Sequence, residues 1–440
     1  MGSSTSDNHV IHIWEINKDR LKYMHQKISN PPRILTKTAA KTSCSIFKVP
    51  TSFIEINGKS YQPHVVSIGP YHHSQPHLKM IEEHKWQYLG NLLSRIEIKG
   101  LNLEDLLKSI EPLEKDSRDC YSESIEFNKD DFLEMMLLDG CFIIELIRKV
   151  GNVVKVEDDD PIFTMQWITT FFYRDLLRLE NQIPFFVLER LFELTKLEED
   201  CSSLSGLALN FFNHGLVRPP GILTRFGNLK ARHLLDLVRS SYINFDQPER
   251  TEEDDPTPSH IIHCVSKLRR AGIKLTQGTA DSFLVVKFKN GVIEMPTITI
   301  DDAMSSFLLN CVAYEQCHNG SSKHFTTYAT FLDCLVNTYK DVEYLCDKNI
   351  IENYFGTDVE VARFINNLGK EVGFDIDRCY LAKLFNDVHG YYKNDWHVQI
   401  AGFKYTYFDT PWSFISAFAA FVLLILTIVQ TYYTVYGTYF

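Results

Sequence analysis

The C-terminal end of the chain constrains its fold more than any other segment. No acidic, basic or histidine side chain occurs in residues 410–440, and residues 414–433 read FISAFAAFVLLILTIVQTYY. As an α-helix rising about 1.5 Å per residue, this stretch can cross the roughly 30 Å hydrocarbon core of a bilayer. The sequence therefore predicts one transmembrane helix over residues 410–435, followed by a short tail at 436–440.

The residues on both sides of this segment support a membrane location. Aromatic side chains, which suit the headgroup layer, flank it at both ends. They are Tyr405, Tyr407, Phe408 and Trp412 before the span and Tyr432, Tyr433, Tyr436 and Tyr439 after it. A buried core helix at the end of a soluble domain is the alternative, but it leaves these aromatic residues unexplained. Because Lys404 precedes the span and no positive charge follows it, we expect the large N-terminal part to lie in the cytosol.

The composition limits which kinds of protein the rest of the chain can form. The 440 residues are 45% hydrophobic and 13% aromatic, which is enough to bury one large core or two ordinary ones. A formal net charge of -11 argues against general nucleic-acid binding, which needs a basic surface. The ten cysteines include no CxxC pair, so we expect reduced thiols, with a disulfide between Cys311 and Cys317 as the weaker alternative.

Periodicity predicts a mainly α-helical fold with a small β-hairpin or sheet, hence a minor α+β component. The stretch 44–50 is strand-like, 64–68 reads as a buried strand, and 261–274 reads as a helix. The alternation around Asn290-Gly291 predicts a two-residue hairpin.

Composition shifts also predict how the chain is divided. An acidic stretch rich in proline and threonine reads as an exposed linker between two helical lobes. The predicted parts are a leader with an amphipathic helix at 1–45, a first helical lobe at 46–245, the linker at 246–260 and a second lobe with the hairpin and further helices at 261–405.

A polar group interrupts the apolar block LRLENQIPFFVLERLF at residues 177–192. Pro184 pushes the preceding residue out of the helical region and can start a new helix, so Glu180, Asn181 and Gln182 are expected at a break between two apolar helices. Amide side chains there can bond the free carbonyls of one helix and the free N–H groups of the next. We therefore predict a structural joint in preference to an active site, since no nucleophile or glycine-rich loop accompanies it.

Two other apolar helices carry polar residues that we assign to the same structural role. Asp139 lies at the centre of one and needs a donor, while Glu315 and Gln316 lie in another. Lys85 and Arg178 are candidate counter-ions for Asp139 and for the carboxylate of the joint.

Motifs for cofactors and catalysis are not found in the sequence. Five histidines fall between residues 64 and 84, but they form no HExxH pair and no cysteine lies nearby, so a turn rich in imidazoles is expected in place of a metal site. P-loop, GxGxxG, GxSxG and kinase motifs are lacking as well. We expect no cofactor, no metal and no catalytic residue of a recognised type.

Several long blocks of the sequence carry a family resemblance. They are PHVVSIGPYHH (63–73), LLDGCFIIEL (137–146), DLLRLENQIPFFVLERLF (175–192), HLLDLVR (233–239), KLRRAGIKL (267–275), NGVIEMPTITID (290–301), NCVAYEQC (310–317) and YFDTPWSFISAFAAFVLLILTIVQTYY (407–433). Through them the chain, from about Ile46 onward, resembles the plant family known as domain of unknown function 247, of the UPF0481 type. The resemblance implies a helical, plant-specific protein with a C-terminal membrane anchor, and it supplies no catalytic residues. Some members in grasses are implicated in self-incompatibility, and others in growth or stress responses.

These features favour a non-enzymatic, single-pass membrane protein whose body binds protein partners in recognition or signalling, in the plasma membrane or an endomembrane. Pollen–stigma recognition and growth or stress signalling are the settings that the resemblance suggests. The alternative is a membrane-tethered enzyme of unfamiliar type with a pocket of acids and histidines, which a deep cavity joining those residues would favour. A third hypothesis is self-association through the small face of the last helix, formed by Ser416, Ala417, Ala419 and Ala420.

Overall fold

The fold is known from a computed structural model, which describes residues 17–29, 43–196, 203–218, 225–243, 261–376, 379–393 and 411–439. The predicted linker at 246–260 lies outside these residues, as does most of the predicted leader. Of the leader's amphipathic helix, the part that is described is helical.

Helices dominate the described residues, which confirms the predicted mainly α fold. In the first half of the chain they are α1 (Lys18–Ser29), α2 (Thr51–Asn57), α3 (Lys79–Ile96), α4 (Leu103–Ile110), α5 (Glu114–Asp119), α6 (Lys129–Val150), α7 (Pro161–Thr164), α8 (Gln166–Asp175), α9 (Phe185–Leu194), α10 (Leu204–Leu216) and α11 (Leu234–Tyr242). In the second half they are α12 (Val265–Arg270), α13 (Asp302–Cys317), α14 (His324–Leu335), α15 (Tyr339–Asp347), α16 (Asp358–Leu368), α17 (Ala382–Tyr392) and α18 (Pro411–Tyr439).

In the described part of the second half, five short strands form two small sheets. They are β1 (Lys274–Gly278), β2 (Lys287–Lys289), β3 (Val292–Pro296), β4 (Ile298–Ile300) and β5 (Ile351–Asn353). β2 and β3 are antiparallel and joined at Asn290 and Gly291, whose φ angles of 51° and 76° suit a tight hairpin turn, so the predicted hairpin is confirmed. β1 lies parallel to β3 on its other side, and β4 lies parallel to β5.

The helix expected over residues 261–274 is shorter than the sequence suggests. It ends at Arg270, and Gly272 with a φ of 82° turns the chain into β1. Leu268 packs in the core while its sequence neighbours are partly or fully exposed, and three residues separate this short helix from β1. In β1 Lys274 is exposed and Leu275 is buried, which is the alternation of a strand. The apolar residues before it account for the prediction of a longer helix.

The two strands expected in the first half are not formed. Ile46 makes only an isolated bridge with Tyr121, and residues 64–68 pair with no strand. The apolar pattern of residues 64–68 correctly indicates burial, but their backbone N–H groups bond to side chains of another part of the chain. A buried extended segment therefore satisfies its backbone without a sheet.

α6 lies at the centre of the first half and is buried all round from Met135 to Lys149. It packs against α3 and α9, and a Cβ added at Gly140 would lie 2.6 Å from Leu191 Cδ1, so a larger residue there would displace the Leu191 side chain of α9. Buried side chains from both predicted lobes form one continuous hydrophobic cluster.

α18 contains the apolar segment at the C-terminal end. Among the described residues it is the one helix long and apolar enough to cross a membrane, over Ile415–Tyr436, with a mean hydropathy of 2.1. None of that stretch is buried against the rest of the protein. Its apolar side chains are therefore exposed along the helix.

Candidate functional site

Asp175, the last residue of α8, holds in place the buried extended segment formed by residues 64–68. Its Oδ2 accepts hydrogen bonds from the backbone N–H groups of His64 (2.9 Å), Val65 (2.7 Å) and Val66 (3.2 Å). Its Oδ1 accepts from Arg178 Nε at 3.0 Å, and both side chains are fully buried. One carboxylate therefore supplies the acceptors that a neighbouring strand would otherwise provide.

Asp139 binds the backbone at the end of the same extended segment. Its Oδ1 lies 2.6 Å from Lys85 Nζ, and its Oδ2 accepts from the backbone N–H of Gly69 at 2.8 Å. Lys85 also donates to the carbonyl of Ser67 and to Glu82. Lys85, one of the two cations expected to pair with Asp139 and Glu180, thus pairs with Asp139, and both side chains are buried among donors and acceptors.

The side-chain amides of Asn181 and Gln182 each donate to a backbone carbonyl and accept from a backbone N–H group. Asn181 accepts from the N–H of Ile68 at 2.7 Å and donates to the carbonyl of Val66 at 3.1 Å. Gln182 donates to the carbonyl of Leu176 at 2.7 Å and accepts from the N–H of Leu235, the second residue of α11, at 3.1 Å. The side chains therefore tie the end of α8 to the extended segment and to α11.

Glu180 has different partners from those expected. Its Oε1 accepts from the N–H of Val49 at 2.8 Å, and its Oε2 lies 2.9 Å from Lys48 Nζ and 3.2 Å from His72 Nε2. Burial would raise the pKa of Glu180, but the nearby His72 ring, the charge of Lys48 and the N–H of Val49 bring it below its ordinary value. Arg178 is paired with Asp175 and is not the counter-ion of Glu180.

Glu315 on α13 links the two halves of the body. Its Oε1 accepts from Arg239 Nε of α11 at 2.9 Å, and its carboxylate also accepts from the N–H groups of Phe325 (3.2 Å) and Thr326 (2.7 Å) at the start of α14. Burial would lower the pKa of Arg239, but the charge of Glu315 raises it above its ordinary value, so Arg239 stays charged. The neighbouring Gln316 contacts Gly373 and Thr326, outside this ion pair.

His233 is a structural residue that the sequence did not single out. It caps α11 by accepting from the N–H of Asp236, and its Nε2–H donates to the carbonyl of Ser45 at 3.0 Å. Burial lowers the pKa of His233 to about 4, against an opposing effect of Asp236. Its position directly before the helical block LLDLVR was the available signal, because histidine can cap a helix when its ring is neutral.

An open cleft of about 480 Å³ lies elsewhere, between the two halves. It is bounded by the turn after α2, the end of α8, the first turns of α13, and α16 with the loop before it. The lining residues are Asn57, Lys59, Ser60, His64, Arg174, Asp302, Ser305, Leu309, Phe355, Glu360, Arg363, Phe364 and Asn367. None of the six polar residues predicted from the sequence lines it.

The histidines of the predicted histidine-rich turn lie in two places, the cleft and the buried surroundings of Glu180. His64 reaches the cleft, whereas His72 is buried against Glu180. In the described ranges, no three histidine, cysteine or acidic side chains are grouped so that they could hold a metal ion. Cys311 and Cys317 are both free thiols.

Fold and site together define a mainly helical protein with buried polar joints and one C-terminal helix able to cross a membrane. Its residues 46–426 match the family model for a plant protein of unknown function, domain of unknown function 247, so the chain belongs to this family.

Two proteins of Arabidopsis thaliana are similar over most of their length. UPF0481 protein At3g47200 is 37% identical over 428 residues, covering 92% of this chain and 88% of the relative. Putative UPF0481 protein At3g02645 is 24% identical over 497 residues, covering 91% of this chain and 92% of the relative. No solved structure matches the chain.

Proposed function

We propose that the protein is a non-enzymatic, membrane-anchored recognition or signalling protein whose cytosolic body binds protein partners. α18 serves as the single-pass anchor, in the plasma membrane or an endomembrane. Self-incompatibility and growth or stress signalling are the processes in which its partners should be sought first.

The proposal depends mainly on one observation: the oxygens of the buried carboxylates are occupied by hydrogen bonds and ion pairs that hold the fold together. Asp139, Asp175 and Glu315 each accept from backbone N–H groups and a buried cation, and both oxygens of Glu180 are occupied. A general acid or base needs access to a substrate proton, and these four carboxylates are buried and do not line the cleft. They therefore support a structural role, and they offer no pocket of acids and histidines for the enzyme alternative.

The apolar helix supports the anchor. Its side chains are exposed along Ile415–Tyr436, and water would solvate such a surface at a large free-energy cost. A bilayer removes that cost, and the helix is long enough to span one.

Topology is the first part of the test. A tag before Met1, a tag after Phe440 and glycosylation at the exposed sequon of Asn319 should be scored in microsomes with and without protease. A cytosolic body predicts a digestible N-terminal tag, a protected C-terminal tag and an unglycosylated Asn319. Glycosylation of Asn319 would place the body on the other side and remove the cytosolic part of the proposal.

Partner binding is the second part. A biotin ligase fused before Met1 of the full chain should label proteins that the same ligase fused to residues 394–440 alone does not label. Those proteins should then bind the purified chain directly. If labelling by the two fusions is the same in tissues that express the protein, the recognition role is wrong.

A further inference from the structure

The cleft between the two halves concentrates positive charge in an acidic chain. Lys59, Arg174 and Arg363 line it, together with two acids, whereas the whole sequence carries a formal net charge of -11. Lys59 and Arg363 are exposed, and no described carboxylate forms an ion pair with either. The lining thus has more cations than anions without counting His64.

Arg174 is only partly satisfied. Its Nη1 lies 3.4 Å from Asp302 Oδ2, a long contact to a carboxylate that is 71% exposed, and its buried Nε has no partner within the described structure. A guanidinium with free donors in a cleft is suited to a planar anionic group. Asp302 can be displaced into solvent when such a group arrives.

Glu360, the second acidic residue of the cleft, already accepts hydrogen bonds from its own helix start. Glu360 Oε2 accepts from the N–H of Thr357 at 2.8 Å and from its hydroxyl at 2.9 Å, which completes the capping box of α16. These bonds, and to a smaller extent the charge of Arg363, hold the pKa of Glu360 below its ordinary value. Glu360 therefore bonds mainly to the start of its own helix, and it forms no salt bridge with Arg363, one turn further on.

His64 also lines this space. Arg178 Nη2 lies 2.7 Å from His64 Nδ1, and a guanidinium can only donate, so Nδ1 is the acceptor. Nε2 is then the ring nitrogen that remains for a ligand.

Exposed aromatic side chains lie next to residues that line the cleft. Trp167, which is 50% exposed, contacts Phe171 edge-on at 6.1 Å, and Phe171 contacts the lining residue His64 at 5.5 Å. Tyr354, which is 75% exposed, directly precedes the lining residue Phe355 in the sequence. Tryptophan, tyrosine and arginine are the residues that most often dominate protein–protein binding energy.

We propose that this cleft binds an acidic segment of a partner protein. Its carboxylate or phosphate groups contact Lys59, Arg174 and Arg363, and a neighbouring aromatic or aliphatic side chain packs on the Trp167–Phe171 side. The inference deepens the proposed function by naming the chemistry of the partner and the surface that binds it.

The test uses the full chain in detergent micelles and a fluorescein-labelled nonapeptide with a central tryptophan and four glutamates on each side. Fluorescence anisotropy gives the dissociation constant. The double variant K59Q/R363Q should weaken binding about tenfold or more, because each change removes a charge-assisted contact. Neither cation has a described ion pair, so thermal stability should be unchanged.

The matched control is K340Q/R270Q, which removes one lysine and one arginine that are exposed and outside the cleft. It should change the affinity by less than about twofold, since distant surface charges are screened. A peptide with glutamine in place of glutamate should bind about tenfold more weakly or worse, and one with phosphoserine in place of glutamate should bind at least as well.

Equal losses in the two double variants, equal binding of the glutamine peptide, or no binding by the wild-type chain would each overturn the assignment. The proposed function has a separate outcome. If a partner identified by proximity labelling binds wild type and K59Q/R363Q equally, the cleft assignment is wrong while the recognition role remains.

Discussion

Lys85 Nζ lies 2.6 Å from Asp139 Oδ1, with both side chains almost completely buried. The pair connects α3 to α6 and, through the N–H of Gly69, to the extended segment. A buried ion pair is weak evidence of net stabilisation, yet removing one partner leaves the other charge in a poor environment.

We expect Lys85→Met to destabilise the protein by about 3 to 5 kcal/mol, because it leaves the Asp139 carboxylate buried without its cation. Thermal and denaturant unfolding of the full chain in detergent micelles measure the loss. Lys79→Met, at an exposed position of the same helix, is the control and should cost little. The double variant K85M/D139N should recover part of the loss, since an amide oxygen can still accept from Gly69. A K85M variant as stable as K79M would contradict the interpretation.

Gly69→Ala should be destabilising by about 2 kcal/mol or more. Gly69 has a φ of 73°, and an added Cβ would lie 2.5 Å from the backbone oxygen of Gln182. Gly90→Ala in α3 is the matched control, because no atom lies within 4 Å of its added Cβ and alanine favours a helix by about 1 kcal/mol. The two alanine variants should therefore shift the unfolding midpoint in opposite directions. Similar shifts would mean that the turn at Gly69 adapts.

Local signals explain which features could be predicted from the sequence. The apolar run of α18 and the turn at Asn290-Gly291 depend on a few adjacent residues, and both are found as expected. The ENQ group was predicted to bond to helix ends, and Gln182 does bond to the carbonyl of Leu176 and the N–H of Leu235.

Long-range partners could not be predicted in the same way. Asp175 bonds to Val65, which is 110 residues away, and Glu180 is paired with Lys48 and not with the nearby Arg178. No local pattern encodes such distances, because several cations and N–H groups could satisfy a buried carboxylate equally well. The cleft was missed for the same reason, since its walls come from four separated parts of the chain.

Stability should fall as the pH is lowered from 7 to 5, in part through His233. Its pKa is about 4 in the folded protein and near 6.5 when exposed, so between these values the unfolded chain binds a proton that the folded protein does not. The stabilisation is complete above pH 6.5 and is lost as the pH falls towards 4, with about 2 kcal/mol lost by pH 5. His318, whose pKa burial also lowers to about 4, acts in the same direction.

The variant His233→Asn isolates this contribution, because asparagine can cap α11 but does not titrate. Its free energy of unfolding should change less between pH 7 and pH 5 than that of the wild type, by about 2 kcal/mol. His25→Asn, on the exposed helix α1, should leave the wild-type pH dependence intact. Parallel curves for wild type and H233N would exclude His233 as the source.

The small residues of α18 give a prediction for assembly in the membrane. Ser416, Ala417, Ala419 and Ala420 lie within little more than one helical turn, where small side chains allow two helices to approach closely. Replacing these residues with leucine should weaken self-association in a membrane two-hybrid or energy-transfer assay, because leucine holds the backbones apart. Thr427→Leu and Thr431→Leu provide the control, since both hydroxyls bond to carbonyls of their own helix and neither residue belongs to the small face. Association that survives the leucine substitutions would show that α18 anchors the protein without joining two copies.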